Sequence, residues 1–263
     1  MDGLTIFTIA HNLNRIRYPW RAAILSAAHF AQEVLVCECE SDDGTKEDLE
    51  ALRLSLPNLR VIEHPWGDSC AILKECAELC TAEARCEWTF YLNADEVLRE
   101  DSDFCLPQLA FDGYRFGQAH YTHFLGNVWT TFPFLYERVT RLQRGKEVGW
   151  SEDACSLEIS PDYAPCLPVY VQHFGKVSTG RRREAGQKEL EFQALYHRHF
   201  AVDPEVQEMV AATGGIDYLG FQQARWAKHG LPQEARPFQG RHAIWALEWI
   251  READYVSQLH PDQ

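Results

Sequence analysis

The sequence predicts an α/β fold: a doubly wound, mostly parallel sheet, then a mixed β region and a C-terminal helical extension. Three observations point there. Strand-like and helix-like segments alternate four times within the first 95 residues, joined by short linkers. Residues 113–175 change texture, to aromatic and β-branched runs broken by turns. From Thr179 to Phe200 and from Pro204 to the end the pattern is helical, interrupted by Gly214-Gly215, Pro232 and Pro237.

Each element follows from its residues. Leu4–Ala10 is a run of apolar and β-branched residues, read as a buried first strand, and His11-Asn12-Leu13-Asn14 is a polar turn after it. Pro19 suits the first position of a helix through Ala22, Ala23, Leu25, Ala27 and Ala28. Glu33–Glu38 is the second strand, and Thr45-Lys-Glu-Asp48 has the form of a capping box opening a helix through Leu49, Leu52 and Leu56. Asn58–Glu63 is the third strand, and Asp68 caps a helix from Ser69 to about Ala84. Trp88–Leu92 is the fourth, ending at Asn93-Ala94-Asp95-Glu96. Later strands are expected near 113–121, 137–143, 154–159 and 168–174, with an irregular aromatic stretch at 124–136 and a last helix at roughly 241–257. The organisation is a first α/β half (1–98), a second half of the same domain (99–200) and the helical extension (201–263).

Composition bounds the function. With 46% hydrophobic and 24% charged residues, the chain is an ordinary globular one. It has no run of 18 apolar residues, so no membrane span is expected, and the lack of a signal-type start predicts a cytoplasmic protein. The net charge of −14 disfavours nucleic acid and anionic membranes as partners of the whole molecule. Arg138, Arg141, Arg144 and Lys146 form one cationic group, read as a solvated face, and Arg181-Arg182-Arg183 another. The nine cysteines include no CxxC pair and read as reduced, mostly buried thiols. Cys76 and Cys80 have helical spacing for a zinc pair, but two further ligands at useful spacing are not evident.

Chemistry-bearing residues gather where strands end. Glu38 closes the second strand, Asp43 lies in the next loop, Asp95 follows the fourth, Glu152-Asp153 follows Trp150, and His173 ends a late strand. In open α/β sheets ligands bind outside the carboxyl ends of strands. No GxGxxG follows the first strand and no GxxxxGK[ST] occurs, so phosphate charge must be met another way, and a metal is the obvious candidate.

Five short motifs, in order over residues 4–190, resemble the family-two glycosyltransferases of GT-A fold. Glu38-Cys-Glu-Ser-Asp-Asp-Gly-Thr45 is similar to their acidic nucleotide-binding loop. Leu92-Asn-Ala-Asp-Glu-Val-Leu98 resembles their D-x-D region, with Asn93 in place of the first aspartate. Lys74 stands where a donor-contacting helix often has a basic residue. Trp150-Ser-Glu-Asp153 resembles the acidic acceptor-side motif, and Gln172-His-Phe-Gly175 with Lys188 the late H-[FYW]-G segment. Phe238-x-Gly-Arg-His242 is similar to a late motif of phage and bacterial members.

The resemblance implies a GT-A-like fold and an inverting, metal-dependent transfer of a sugar from a nucleotide-sugar donor to an acceptor hydroxyl. Ala10, His11, Asn12, Glu38, Glu40, Asp43, Lys74, Asn93, Ala94 and Asp95 would meet the donor, with Glu38 and Asp43 on its base and ribose. Asp95, with His173, would hold Mn²⁺ or Mg²⁺. Asp153 would be the general base and Glu152 the alternative base. Trp129 and Trp150, with Phe132, would form a stacking wall for an acceptor. The acceptor is open among a glycan, a small metabolite, a protein and a modified nucleic-acid base. Phe238–His242 and the cationic groups keep a phage-type glycosyltransferase acting on modified DNA in view, although the net charge argues against it. A non-catalytic relative that binds a nucleotide-sugar or glycan is the second reading. A nucleotidyltransferase is the third, and it lacks the expected glycine-rich basic loop.

Overall fold

Leu4–Ala10 forms β1, and all seven of its residues are buried. A strand buried on both faces must lie inside a covered sheet. A computed structural model, describing residues 3–67, 71–131, 137–151, 154–177 and 236–252, shows how it is covered.

β1 lies between β2 (Glu33–Glu38) and β4 (Trp88–Tyr91), parallel to both, and β3 (Leu59–Glu63) adds parallel to β2. Alternate side chains feed two cores. Leu4, Ile6, Val34, Val36, Trp88 and Phe90 meet α2 (Trp20–Phe30) and α3 (Thr45–Ser55) on one face. Phe7, Ile9, Leu35, Cys37 and Tyr91 meet α4 (Ile72–Glu83) and Trp150 on the other. The expected doubly wound α/β unit is therefore present.

Beyond β4 the sheet turns mixed. Its order is β3-β2-β1-β4-β7-β6-β8-β5, with β9 paired to β6. Here β5 is Glu96–Leu98, β6 Phe116–Thr131, β7 Arg138–Arg144, β8 Cys166–Val177 and β9 Arg236–Pro237. The contacts β4–β7, β7–β6, β8–β5 and β6–β9 are antiparallel, and β6–β8 is parallel. A third core joins Val97, Phe124, Phe174 and Val177 to Ala243, Ala246 and Ile250, the last two on the C-terminal helix Ala246–Glu252.

Several local expectations are corrected. The turn after β1 contains a short helix, α1 (Leu13–Ile16). The capping box at Thr45 does not form, because Gly44, in the left-handed region, is the N-cap. Asp43 replaces it, its Oδ1 accepting from the Thr45 amide (3.1 Å) and hydroxyl (2.6 Å). No strand forms at 154–159, only a bridge between Trp150 and Leu157. β6 runs on to Thr131, through residues expected to be irregular, and α5 (Leu106–Phe111) was not expected. The last helix starts at Ala246, since Gln172 clamps the preceding segment through Arg241 O and the Ala243 amide, 2.8 Å each. The helical pattern from Thr179 to 235, with the second cationic group and Lys188, lies outside the described residues, as do Asp68, Phe132 and 253–257. No helix among the described residues is long and apolar enough to cross a membrane.

Candidate active site

The chain winds from β1 out to β2 and β3, then crosses back to β4 on the other side of β1. That reversal opens a crevice at the carboxyl ends of β1 and β4. The register pairs Ala10 with Glu38 and Phe7 with Tyr91, so His11, Glu38 and the Asn93–Asp95 turn share one edge.

On the β1–β2 side the acidic loop is held by its own side chains. Glu38 is 1% exposed, and its carboxylate accepts from the Ser41 amide at 2.8 Å. Asp43 uses Oδ1 on Thr45 and Oδ2 on the Arg15 amide, 2.6 Å. Both are expected to contact base and ribose; in this arrangement Glu38 Oε1 and both Asp43 oxygens also hold the loop's own amides in shape. Asn12 ties the loop to β1: its side-chain Oδ1 accepts from the Asp42 amide (2.9 Å) and its own amide donates to Ser41 Oγ (3.0 Å). Glu40, in the left-handed region, accepts from the Trp66 amide at 3.1 Å. Trp66 lies flat on His11, with ring centroids 4.0 Å apart. The His11 Nδ1–H donates to the Cys39 carbonyl and its Nε2 accepts from Asn12 Nδ2 (3.1 Å), which fixes a neutral tautomer. Burial lowers its pKa, consistent with that neutral form.

On the β4–β8 side, Asp95 and His173 meet. Their Oδ2 and Nε2 atoms are 3.3 Å apart, and both residues are buried. Antiparallel pairing of Glu96 with His173, and the Phe174 amide on Asp95 O (2.8 Å), hold them in register. Gly175 leaves the room between them: a Cβ there would lie 2.1 Å from Asp95 Oδ2 and 2.9 Å from His173 Nε2. Behind His173, Nδ1 faces the Nδ1 of buried His123 at 3.2 Å.

Glu96, next to Asp95, is fully buried and spoken for. Its carboxylate accepts from Arg141 Nη1 (2.6 Å), the Asn93 amide (2.9 Å), Asn93 Nδ2 (3.2 Å) and Tyr121 OH (3.4 Å). This accounts for Asn93 where an aspartate was looked for: an amide donates to Glu96, and a carboxylate would repel it. Asn93→Asp should therefore destabilise the fold by about 1–3 kcal/mol, the usual cost of a buried acceptor losing its donor. Denaturant unfolding checks this, and a variant as stable as wild type would contradict it.

The donor set fits a hard divalent cation. Oxygen and nitrogen ligands with bonds of about 2.1 Å sit about 3 Å apart in adjacent octahedral positions. Asp95 and His173 match that separation, and Asp95, Glu96 and His173 offer ligand atoms all within 4.8 Å of one another. With Glu96 engaged by Arg141, Asp95 and His173 are the pair left to hold a metal.

Other expected residues fall elsewhere. Trp150 is fully buried, edge-on to Phe7 and Tyr91, with its Nε1–H donated to Thr81 Oγ1 at 2.9 Å. It has no face to offer an acceptor, because core packing takes both. Trp129 is half-buried against His242, centroids 4.9 Å apart. Burial among these rings pulls His242 down to about 4. Lys74 pairs with Glu158 (3.3 Å) and Glu78 (3.9 Å) rather than standing free for a phosphate. The first cationic group is split: Arg138 and Lys146 are exposed, as a solvated face requires, while Arg144 pairs with Glu87 at 2.7 Å and Arg141 is fully buried. Glu152 and Asp153 lie outside the described residues.

Trp66, His123 and Arg141 belong to the site although no motif in the sequence names them. Trp66 carried a usable signal, a lone tryptophan between proline and glycine after a strand. His123 carried none, since only the β6–β8 register brings it to His173.

No protein-family model matches the chain, and no curated protein matches it. Among solved structures it is similar to TarS of S. aureus. For TarS 1–349 in complex with UDP-GlcNAc the identity is 19% over 49% of this chain and 36% of that one, with a TM-score of 0.36. For TarS 1–349 in complex with UDP it is 14% over 85% and 81%, with a TM-score of 0.42. For TarS itself it is 12% over 100% and 50%, with a TM-score of 0.41. So distant a likeness carries no argument about activity.

Proposed function

We propose that this chain is a GT-A-like, metal-dependent, inverting glycosyltransferase, moving a sugar from a nucleotide-sugar to an acceptor hydroxyl. The observation that carries the reading is the Asp95–His173 pair over Gly175 at the switch point of the sheet. Asp95 and His173 would hold Mn²⁺ or Mg²⁺, which stabilises negative charge on a leaving diphosphate. His11, Asn12 and Trp66 would meet the nucleoside, on a loop that Glu38, Glu40 and Asp43 keep in shape. Asp153 would deprotonate the acceptor hydroxyl, with Glu152 the alternative base. Glycans and other hydroxyl compounds are the acceptors in view.

A non-catalytic nucleotide-sugar binder is the second reading. Asn93 favours it, because its amide is turned to Glu96 and adds no charge to the metal site.

The test is a panel of nucleotide-sugars in a thermal-shift assay with and without Mn²⁺. A donor at 100 times its dissociation constant should stabilise the protein by about 2.7 kcal/mol, and only when the metal is present. No stabilisation by any donor would overturn both readings.

A further inference from the structure

The second face of the parallel sheet carries a cluster of sulfur. Cys37 on β2 and Cys39 just after it share one core, and Cys76 and Cys80 come from successive turns of α4 to meet them. All four are fully buried. Cys37 and Cys39 Sγ are 3.8 Å apart, and Cys39 and Cys76 Sγ 3.5 Å. Sγ atoms of Cys37, Cys39 and Cys76 all lie within 4.8 Å of one another. Cys80 lies one helical turn beyond Cys76, buried in the same core. The spacing of Cys76 and Cys80 leaves a zinc pair two ligands short; the end of β2 and the residue after it supply two, the nearer one 37 residues upstream of Cys76.

We propose that Cys37, Cys39, Cys76 and Cys80 form a tetrathiolate site for a thiophilic cation of the Zn²⁺ class, separate from the Asp95–His173 site. Four thiolates around one cation are the donor set that Zn²⁺ prefers over hard cations. With Zn–S bonds of about 2.3 Å, tetrahedral sulfurs sit about 3.8 Å apart, close to the separations found here. Binding involves no redox change: the cation displaces one proton to solvent from each thiol it ligates. The cation would pin the end of β2 to α4. Cys39 is also the residue whose carbonyl receives His11, so the pin would stiffen the acidic loop from below.

The full chain, expressed with zinc, should carry one tightly held zinc by mass spectrometry of the metal. Replacement by Co²⁺ should give an intense sulfur-to-cobalt charge-transfer band. Cys76→Ser/Cys80→Ser should lose both signals, while Asp95→Ala keeps them. If the double variant does not fold, alkylation of wild type with and without a strong chelator decides. Metal should protect these four of the nine cysteines, as mapped by peptide mass spectrometry. A folded wild type with no zinc and no cobalt band would overturn the site. So would signals undiminished in the double variant, protection confined to other cysteines, or two missing thiols on denaturation, which would mean a Cys39–Cys76 disulfide.

Discussion

Arg141→Met should destabilise the protein by about 3–5 kcal/mol, the cost of stranding a buried charge by removing its partner. Arg141 and Glu96 are both fully buried, 2.6 Å apart. Met fills much of the same volume, so the loss is mainly electrostatic. It would leave Glu96 with Asn93 and Tyr121 as donors, too few to offset an ionised carboxylate out of water. It would also free the Cys155 carbonyl that Arg141 Nε holds at 2.8 Å, and uncover the faces of Tyr91 and Tyr121 on which the guanidinium rests. The melting temperature should fall on the order of 10 °C. Glu96→Gln in the same background should recover part of that loss, because a neutral amide needs no cation. Equal stability of Arg141→Met and wild type would show that the pair is not what fixes Glu96 beside Asp95.

Asp153→Asn should cut sugar transfer by about 10²–10⁴-fold while donor affinity stays near wild type. The amide matches the carboxylate in size but cannot take the acceptor's proton. The base would touch the acceptor hydroxyl and not the diphosphate, so binding and turnover should separate. Glu152→Gln is the paired control: if it alone is inactive, the base is one residue earlier. Wild-type turnover in both variants would contradict base catalysis by this acidic pair.

The parallel half of the fold was legible in the sequence because its signals are local. β1 is a run of apolar and β-branched residues and β2 an apolar stretch between two glutamates, and their observed limits match the expected ones. The site was legible only in part. Asp95 and His173 announced themselves as polar residues ending strands, and the sheet brings them together. Glu38 and Asp43 look the same in sequence, yet one oxygen of each also accepts from a backbone amide three or two residues on. A one-dimensional pattern cannot tell a carboxylate that caps a loop from one that faces a ligand. Arg141 shows the same limit from the other side: its cationic neighbours suggested a solvated face, and only the β4–β7 pairing carries it into the interior beside Glu96. Trp150 was misjudged because an aromatic beside an acidic motif reads alike whether it stacks on a sugar or fills a core.

The central claim is that Asp95 and His173 hold a divalent cation that binds the diphosphate of a nucleotide-sugar. Calorimetric titration of the best donor into wild type and Asp95→Ala, each with Mn²⁺ and with chelator, tests it most directly. Wild type should bind only with metal, and Asp95→Ala should remain folded and bind in neither condition. Equal, metal-dependent affinity in the two proteins would contradict it.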